Sequence, residues 1–141
     1  SGFGLGMCTP AARRFTLCAA AAQVGTAYLL TPEAKTSAVH RAALQSARDG
    51  DTALTNIFSG RPARGIVNRI MREVGPISAV APAFPYAGGA LAPLKAASEA
   101  NGTGDFSSMW SGQAARLAQE MGAGEMTRKL INEALAKLTG R

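Results

Sequence analysis

The chain has one run of apolar residues near its start. Over most of the remainder, apolar residues recur with the period of a helix. The run covers residues 19–24 and ends at Gly25 and Thr26, which is typical of a strand buried on both faces of a parallel sheet. A single strand leaves its backbone polar groups unpaired, so its neighbouring strands must lie in another chain or in sequence not included here. The apolar stripes then predict five helices, at about residues 31–48, 62–74, 91–100, 108–121 and 125–138.

Prolines and glycines set the bounds of these elements. Thr31, Pro32 and Glu33 form a helix-start signal, with a hydroxyl cap followed by proline and an acid. Residues 53–58 are predicted to be a short extended piece, and the stretch 76–90 a loop, because it is interrupted by prolines and a glycine pair.

Composition narrows the class of protein. The chain has 141 residues, 47% of them hydrophobic, and a net charge of +6, which fits one domain or a piece of a larger one. Its basic charge permits acidic partners but does not demonstrate them. Two cysteines and one histidine cannot complete an all-Cys/His zinc site, and no metal cluster or paired carboxylate stands out.

The compartment is predicted to be the cytoplasm. Cys8 and Cys18 are ten positions apart without a CxxC motif, as expected of reduced thiols. The most apolar stretch, residues 17–30, is interrupted by Gln23, Gly25 and Thr26 and is shorter than the ~20 residues of a membrane span. No membrane anchor is therefore expected.

Gln23, Val24, Gly25 and Thr26 follow the apolar run and form the first candidate site. Glycine lets a phosphate approach backbone N–H groups, threonine adds a hydroxyl, and a helix beginning there adds its dipole. Such loops hold phosphates at the end of parallel α/β barrels. On pattern alone, a plain strand-to-helix turn is the favoured interpretation, and phosphate binding is the alternative.

Three further positions invite a functional interpretation. The predicted helix from Pro62 carries a basic face, which suggests either nucleic-acid contact or an ordinary solvated face, with Arg61 or Arg64 turned toward an anionic ligand as a variant. Trp110 and Gln113 lie beside a small-residue turn and suit either a core position or a ligand wall. His40 is expected on a helix surface or boundary.

Longer segments resemble one known family, the nitronate monooxygenases, formerly called 2-nitropropane dioxygenases. The matching blocks, in order, are Gln23–Leu29 with Thr31–Ala34, the segment Thr55–Gly65 with Asn68 and Arg69, Phe84–Pro85, and Met109–Ala115. The similarity extends over roughly residues 19–138, and the landmarks keep the family's order and spacing.

The resemblance implies an α/β fold, with the C-terminal fragment of an FMN-binding (β/α)8 TIM barrel in residues 1–30 and a mostly helical substrate domain in residues 31–141. It assigns binding of the FMN phosphate to Gln23, Val24, Gly25 and Thr26, with Gly4 as an additional donor. Residues 1–18 are atypical of the family, which places the role of Gly4 in doubt. Trp110, Gln113 and Arg61 become candidates for the wall of the substrate cavity.

The resemblance also implies an activity, the oxidation of alkyl nitronates with O2 to a carbonyl compound and nitrite. The family's catalytic histidine lies well upstream, and His40 does not match it, so the chain alone is expected to be inactive. An FMN-dependent enoyl-ACP reductase on the same scaffold is one alternative. The other is a non-enzymatic helical binding module, which would show salt-dependent nucleic-acid binding.

Overall fold

The computed structural model describes residues 23–138, which form a mixture of helices, 3-10 turns and one β-hairpin. In chain order the elements are a first 3-10 turn (Thr26–Leu30), α1 (Ala38–Ser46), β1 (Thr52–Thr55), β2 (Ala63–Ile66), α2 (Arg69–Glu73), α3 (Ala87–Ala100), a second 3-10 turn (Ala115–Leu117) and α4 (Ala123–Leu138). Most of the predicted strand at 19–24 lies outside the described residues, and Gln23 and Val24 are not in a strand.

The helix predicted from Pro62 to Val74 is wrong over its first half. Residues 63–66 are instead strand β2, which pairs antiparallel with β1 and places Leu54 opposite Arg64. The Arg64 guanidinium donates to the Thr52 carbonyl at 3.1 Å, so the supposed basic helix face does not exist. Only residues 69–73 are helical, and the Asn68 side chain caps them by accepting from the Met71 N–H.

The helix predicted through Trp110 and Gln113 is also wrong. Trp110 forms an antiparallel bridge with Gly65 on the free edge of β2. The Ile66 N–H donates to the Met109 carbonyl at 2.8 Å, and the Ser111 N–H donates to the Arg64 carbonyl at 3.1 Å. These long-range bonds hold the backbone extended, and only residues 115–117 adopt a helical turn.

Helix α1 begins later than predicted, at Ala38. The Thr31 hydroxyl donates backward to the Tyr28 carbonyl at 2.9 Å and does not cap a helix ahead of it. Ser37 takes that role, since its hydroxyl accepts from the His40 N–H. Helix α3 begins four residues before its predicted start at 91, and contains Pro93.

Two apolar clusters include residues of the hairpin or pack against it. One contains Leu30, Leu44, Ala47, Ile66, Met109 and Ala115. The other contains Ile57, Phe58, Ile70 and Met71, with Trp110 packed against it. Ile66 and Met109 belong to the first cluster, whereas Ala53 and Trp110 pack against the second, so the hairpin and the Met109–Gly112 segment contact both.

The last helix, α4, agrees with its predicted range within two residues and is fastened to the start of the described chain. The Glu33 carboxylate accepts from the Ala123 N–H at 3.0 Å and caps this helix from a distant loop. The Tyr28 and Thr127 hydroxyls are 2.8 Å apart. Among residues 23–138, no helix is long and apolar enough to cross a membrane.

Candidate functional site

The candidate phosphate segment, Gln23–Thr26, leads directly into the first 3-10 turn. The first hydrogen bond of this turn runs from the Tyr28 N–H to the Gly25 carbonyl at 3.0 Å. The N–H groups of Thr26 and Ala27 precede that bond, so the hydrogen bonds of the turn itself do not use them. Gly25 is exposed, and a Cβ built on it would meet no described atom within 4 Å. Gly25 is thus the accessible residue at the start of this turn, whereas Thr26 and Ala27 are only 7% and 1% exposed.

Thr26 connects the phosphate segment to the Trp110 segment. Its hydroxyl oxygen accepts from the Gly112 N–H at 2.9 Å, although the two residues are 86 positions apart. A backbone N–H only donates, so the threonine keeps its own hydroxyl proton to donate elsewhere. Thr26 itself is only 7% exposed, so this hydrogen bond lies in the interior.

Trp110 is half-buried and fixed by its neighbours. Its indole meets the Phe58 ring edge-to-face, with 5.8 Å between ring centroids and an interplanar angle of 90°. Its carbonyl lies 2.9 Å from His40 Nε2. Gly65 is needed for the strand contact, because a Cβ there would lie 2.9 Å from the Met109 carbonyl oxygen.

Gln113 and Arg61 are exposed and less constrained than Trp110. The Arg61 guanidinium carbon lies 4.3 Å from the centroid of the Phe84 ring, a cation–π contact. The turn at residues 58–60 brings Arg61 and Phe84 together, because Gly60 has a φ of 81° and packs directly on residues 82–84. The structure thus joins Thr26 to the Trp110 segment, while Arg61 is held by a separate contact with Phe84.

Sequence reasoning missed two residues that shape this region. The Arg41 guanidinium donates to the carbonyls of Leu30 and Thr31, at 2.6 and 3.0 Å, and so closes the end of the first 3-10 turn. His40 contacts the Trp110 segment from the same helix. The Arg41 bonds reach back 10 and 11 positions and the His40 bond spans 70, and no local motif signals either contact.

His40 is partly buried, and its electrostatics follow from that position. Burial lowers the pKa of the imidazole below its usual value, and the Trp110 carbonyl opposes this effect by favouring the charged form. The ring is therefore predominantly neutral near pH 7. At the other end of the region, hydrogen bonds from the Glu33 and Ala123 backbone lower the pKa of the Glu33 carboxyl.

A cavity of about 680 Å³ lies beside this region but does not include it. Val39, Ile66, Asn68 and Met109 contribute to its wall, whereas Trp110, Gln113, Arg61 and residues 23–26 do not. Both amide hydrogens of Asn68 are already donated, to the carbonyls of Gly104 and Ser107. Within residues 23–138, no group of three or more His, Cys, Asp or Glu side chains is arranged to hold a metal ion.

Comparison with known proteins decides the family. A family model of nitronate monooxygenases matches residues 6–133. The chain belongs to the nitronate monooxygenase family. The resemblance drawn from the sequence blocks is thereby confirmed. A nitronate monooxygenase of Pseudomonas aeruginosa is 42% identical over 116 residues, which are 82% of this chain and 33% of that protein. A probable nitronate monooxygenase of Bacillus subtilis is 32% identical over 84% of this chain and 34% of its own length.

Solved structures agree with this family. The structure of a nitroalkane oxidase from Streptomyces ansochromogenes superimposes with a TM-score of 0.80 and 36% identity, over 93% of this chain and 37% of that protein. FabK from Thermotoga maritima shares the fold, with a TM-score of 0.65 and 24% identity, over 92% of this chain and 42% of its own. The chain spans about a third of the length of the curated relatives that it matches.

Proposed function

We propose that this chain is the C-terminal portion of an FMN-dependent nitronate monooxygenase, which oxidises alkyl nitronates with O2 to a carbonyl compound and nitrite. The observation that carries the proposal is the hydrogen bond from the Gly112 N–H to the Thr26 hydroxyl. It joins the segment expected to hold the FMN phosphate to the segment expected to line the substrate cavity. The 42% identity to a nitronate monooxygenase supports this reaction among those that one scaffold can host.

The phosphate role of residues 23–26 fits the described backbone. Two N–H groups that the turn itself does not use, a glycine with no described atom near its Cβ position, and a threonine hydroxyl occur within three residues. Phosphate oxygens accept such bonds strongly, because the acceptor is charged. The 3-10 turn that follows has only five residues, so these donors, rather than a long helix dipole, would hold the anion. Gly4, the additional candidate donor, lies outside the described residues.

Trp110 and Gln113 are proposed to form part of the substrate wall. Trp110 is fixed against Phe58, and its rigid indole suits a surface that positions a small substrate. Gln113 is exposed and offers an amide. Arg61 is a weaker candidate for binding the anionic nitronate, because its guanidinium is engaged by the Phe84 ring.

FMN, when bound, supplies the redox chemistry, while the protein provides position and electrostatics. The base that acts on the substrate is proposed to lie outside this chain. His40 does not replace it, because its Nε2 faces the Trp110 carbonyl. We therefore expect the 141-residue chain alone to show no nitronate oxidation, and measurable turnover by the purified chain would contradict this assignment. The cytoplasm remains the proposed compartment.

Binding of FMN to the purified chain tests the cofactor assignment. Flavin fluorescence is titrated with the wild-type chain and with a Gly25→Asp, Thr26→Ala variant, which adds a negative charge and removes a donor. Gly89→Asp adds the same charge at an exposed glycine of α3 and serves as the control. We expect quenching by wild type and by the control, and its loss in the double variant. Equal binding by all three proteins would show that residues 23–26 do not hold the phosphate.

The two alternative functions have less support. FabK is similar at 24% identity, which supports the shared fold alone, and a nicotinamide requirement would be needed to favour a reductase. The nucleic-acid module rested on a basic helix face at residues 61–72, and that stretch is mainly a hairpin strand and a short helix. A lack of RNA or DNA binding at low salt would exclude it.

A further inference from the structure

The Trp110–Gly112 segment, which we call the tryptophan turn, is held from three directions. Strand β2 bonds to it along the backbone through Arg64. Thr26 accepts from the Gly112 N–H. His40, projecting from α1, reaches the Trp110 carbonyl with Nε2 at 2.9 Å. Two of these three contacts come from single side chains, and one of them, His40, has no role in the function proposed above.

The His40 contact has a fixed direction. A carbonyl oxygen only accepts, so Nε2 must carry the proton and donate it. Helix α1 fixes the position of this donor, because the Ser37 hydroxyl caps the helix by accepting from the backbone N–H of His40 itself. The imidazole is partly buried, and burial favours its neutral form. A neutral ring in the Nε2–H tautomer therefore meets the carbonyl.

We propose that His40 is a positioning residue for the tryptophan turn: its Nε2–H bond to the Trp110 carbonyl sets the indole against Phe58 and keeps the Gly112 N–H directed at the Thr26 hydroxyl. The consequence for substrate and cofactor rests on the proposed function, because it makes His40 a support of both the cavity wall and the phosphate segment. The positioning itself rests only on the contacts of this chain.

The competing explanation is that the His40 ring only fills space. Two substitutions distinguish this explanation from positioning by the hydrogen bond. His40→Gln keeps a neutral N–H donor on a flexible side chain. His40→Phe keeps the ring and its volume but removes the donor. If the hydrogen bond positions the turn, glutamine restores it and phenylalanine does not; if the ring only fills space, phenylalanine is the better replacement. Arg48→Gln, an exposed change just beyond the same helix, is the control.

The chain contains a single tryptophan, so its fluorescence reports on this turn alone. In His40→Phe we expect a red-shifted emission, greater quenching by acrylamide, and exchange of the Gly112 amide with solvent about fivefold faster, the effect of losing one neutral hydrogen bond. His40→Gln and the control should remain close to wild type. Wild-type behaviour of His40→Phe, or a larger change in His40→Gln than in His40→Phe, would overturn the proposal.

A measurement on the wild-type chain avoids the risk that a variant fails to fold. The chain has one histidine, so long-range 1H–15N NMR spectra at pH 7.5 report its tautomer without ambiguity. We expect the Nε2–H tautomer, with an Nε2 proton protected from solvent exchange. An Nδ1–H tautomer, or an unprotected Nε2 proton, would refute the contact.

The two proposals fail in different experiments. If the tryptophan signals respond as expected but the wild-type chain and the Gly25→Asp, Thr26→Ala variant bind FMN equally, His40 positions the turn and the phosphate assignment is wrong. If the wild-type chain binds FMN but His40→Phe leaves the tryptophan signals unchanged, the phosphate assignment holds and the role of His40 is refuted.

Discussion

Two regions of the molecule differ in how their side chains are used. The hairpin region, which we define as residues 52–71 with 104–112, buries or half-buries its large apolar residues except Leu54, which is 49% exposed, and pairs its backbone with itself. The loop–α3 region, residues 77–101, leaves large apolar side chains in solvent, such as Val80 at 78% exposure and Tyr86 at 73%. Contacts within the chain therefore fix the geometry around Trp110, but they fix the surroundings of Phe84 much less.

This difference ranks the candidate site residues. Trp110 belongs to the hairpin region, where the Phe58 ring, strand β2 and the His40 side chain determine its position. Arg61 reaches out to the loop–α3 region and rests on a ring that is 51% exposed. A preorganised wall is therefore expected at Trp110, and only an adjustable charge at Arg61.

The largest loss of stability is expected at Asn68, whose side chain bonds to two separate segments of the hairpin region. Its buried amide donates to the carbonyls of Gly104 and Ser107, and its oxygen accepts from Met71. Asn68→Ala leaves these backbone groups without partners and should reduce the free energy of unfolding by about 3 kcal/mol. Chemical denaturation measures this loss.

Asn101→Ala is the matched control in the loop–α3 region. Its amide donates to the Ala97 carbonyl from an exposed position at the end of α3. We expect a loss below about 0.5 kcal/mol, because water replaces the lost bond. Similar losses for the two asparagines would show that the regions do not differ in how tightly their polar groups are held.

Alanine substitutions at two glycines should change the free energy of unfolding in opposite directions. Gly65→Ala places a Cβ 2.9 Å from the Met109 carbonyl oxygen and should cost about 1–3 kcal/mol, because the strand must move away. Gly89→Ala meets no described atom within 4 Å and lies inside α3, so it should stabilise the chain by up to about 1 kcal/mol. A shift of both midpoints in the same direction would contradict the packing at Gly65.

Lowering the pH should destabilise the folded chain through protonation of His40, which contacts the edge of the hairpin region. Burial lowers the pKa of this imidazole in the folded chain, so the unfolded chain binds the proton more readily. Its contribution to stability is therefore present above the unfolded pKa and is lost as the pH falls through the lower folded pKa. Thermal unfolding of wild type should weaken more between pH 7.5 and pH 5 than that of His40→Gln, which does not titrate. Parallel pH profiles would exclude this coupling.

The sequence predicted what depends on local signals. Helix α4 has a clear apolar stripe, and its predicted range was confirmed within two residues. The family was identified from blocks of sequence, and the comparisons confirmed it. The site assignment of Gln23 to Thr26 stays a prediction, since it came from the resemblance and not from geometry.

What the sequence could not predict depends on distant partners. Residues 63–66 have a composition that also suits a helix, and only pairing with β1 makes them a strand. Trp110 is extended because β2 offers it a free edge 45 positions earlier at Gly65. The contact between Thr26 and Gly112 spans 86 positions, and no local pattern encodes it. The turn was therefore predicted as a helix, and its link to the phosphate segment was missed.

The smallest loss of stability is expected when one isoleucine in each region is shortened by a methyl group. Ile57 is 5% exposed beside Phe58, so Ile57→Val should cost about 1 kcal/mol. Ile77 is 58% exposed, and Ile77→Val should change the free energy of unfolding by less than about 0.5 kcal/mol. Equal losses, measured by denaturation at several protein concentrations, would mean that residues around Ile77 are covered in solution. A loss at Ile77 that grows with concentration would assign that cover to a second copy of the chain, and a loss independent of concentration would assign it to the chain itself.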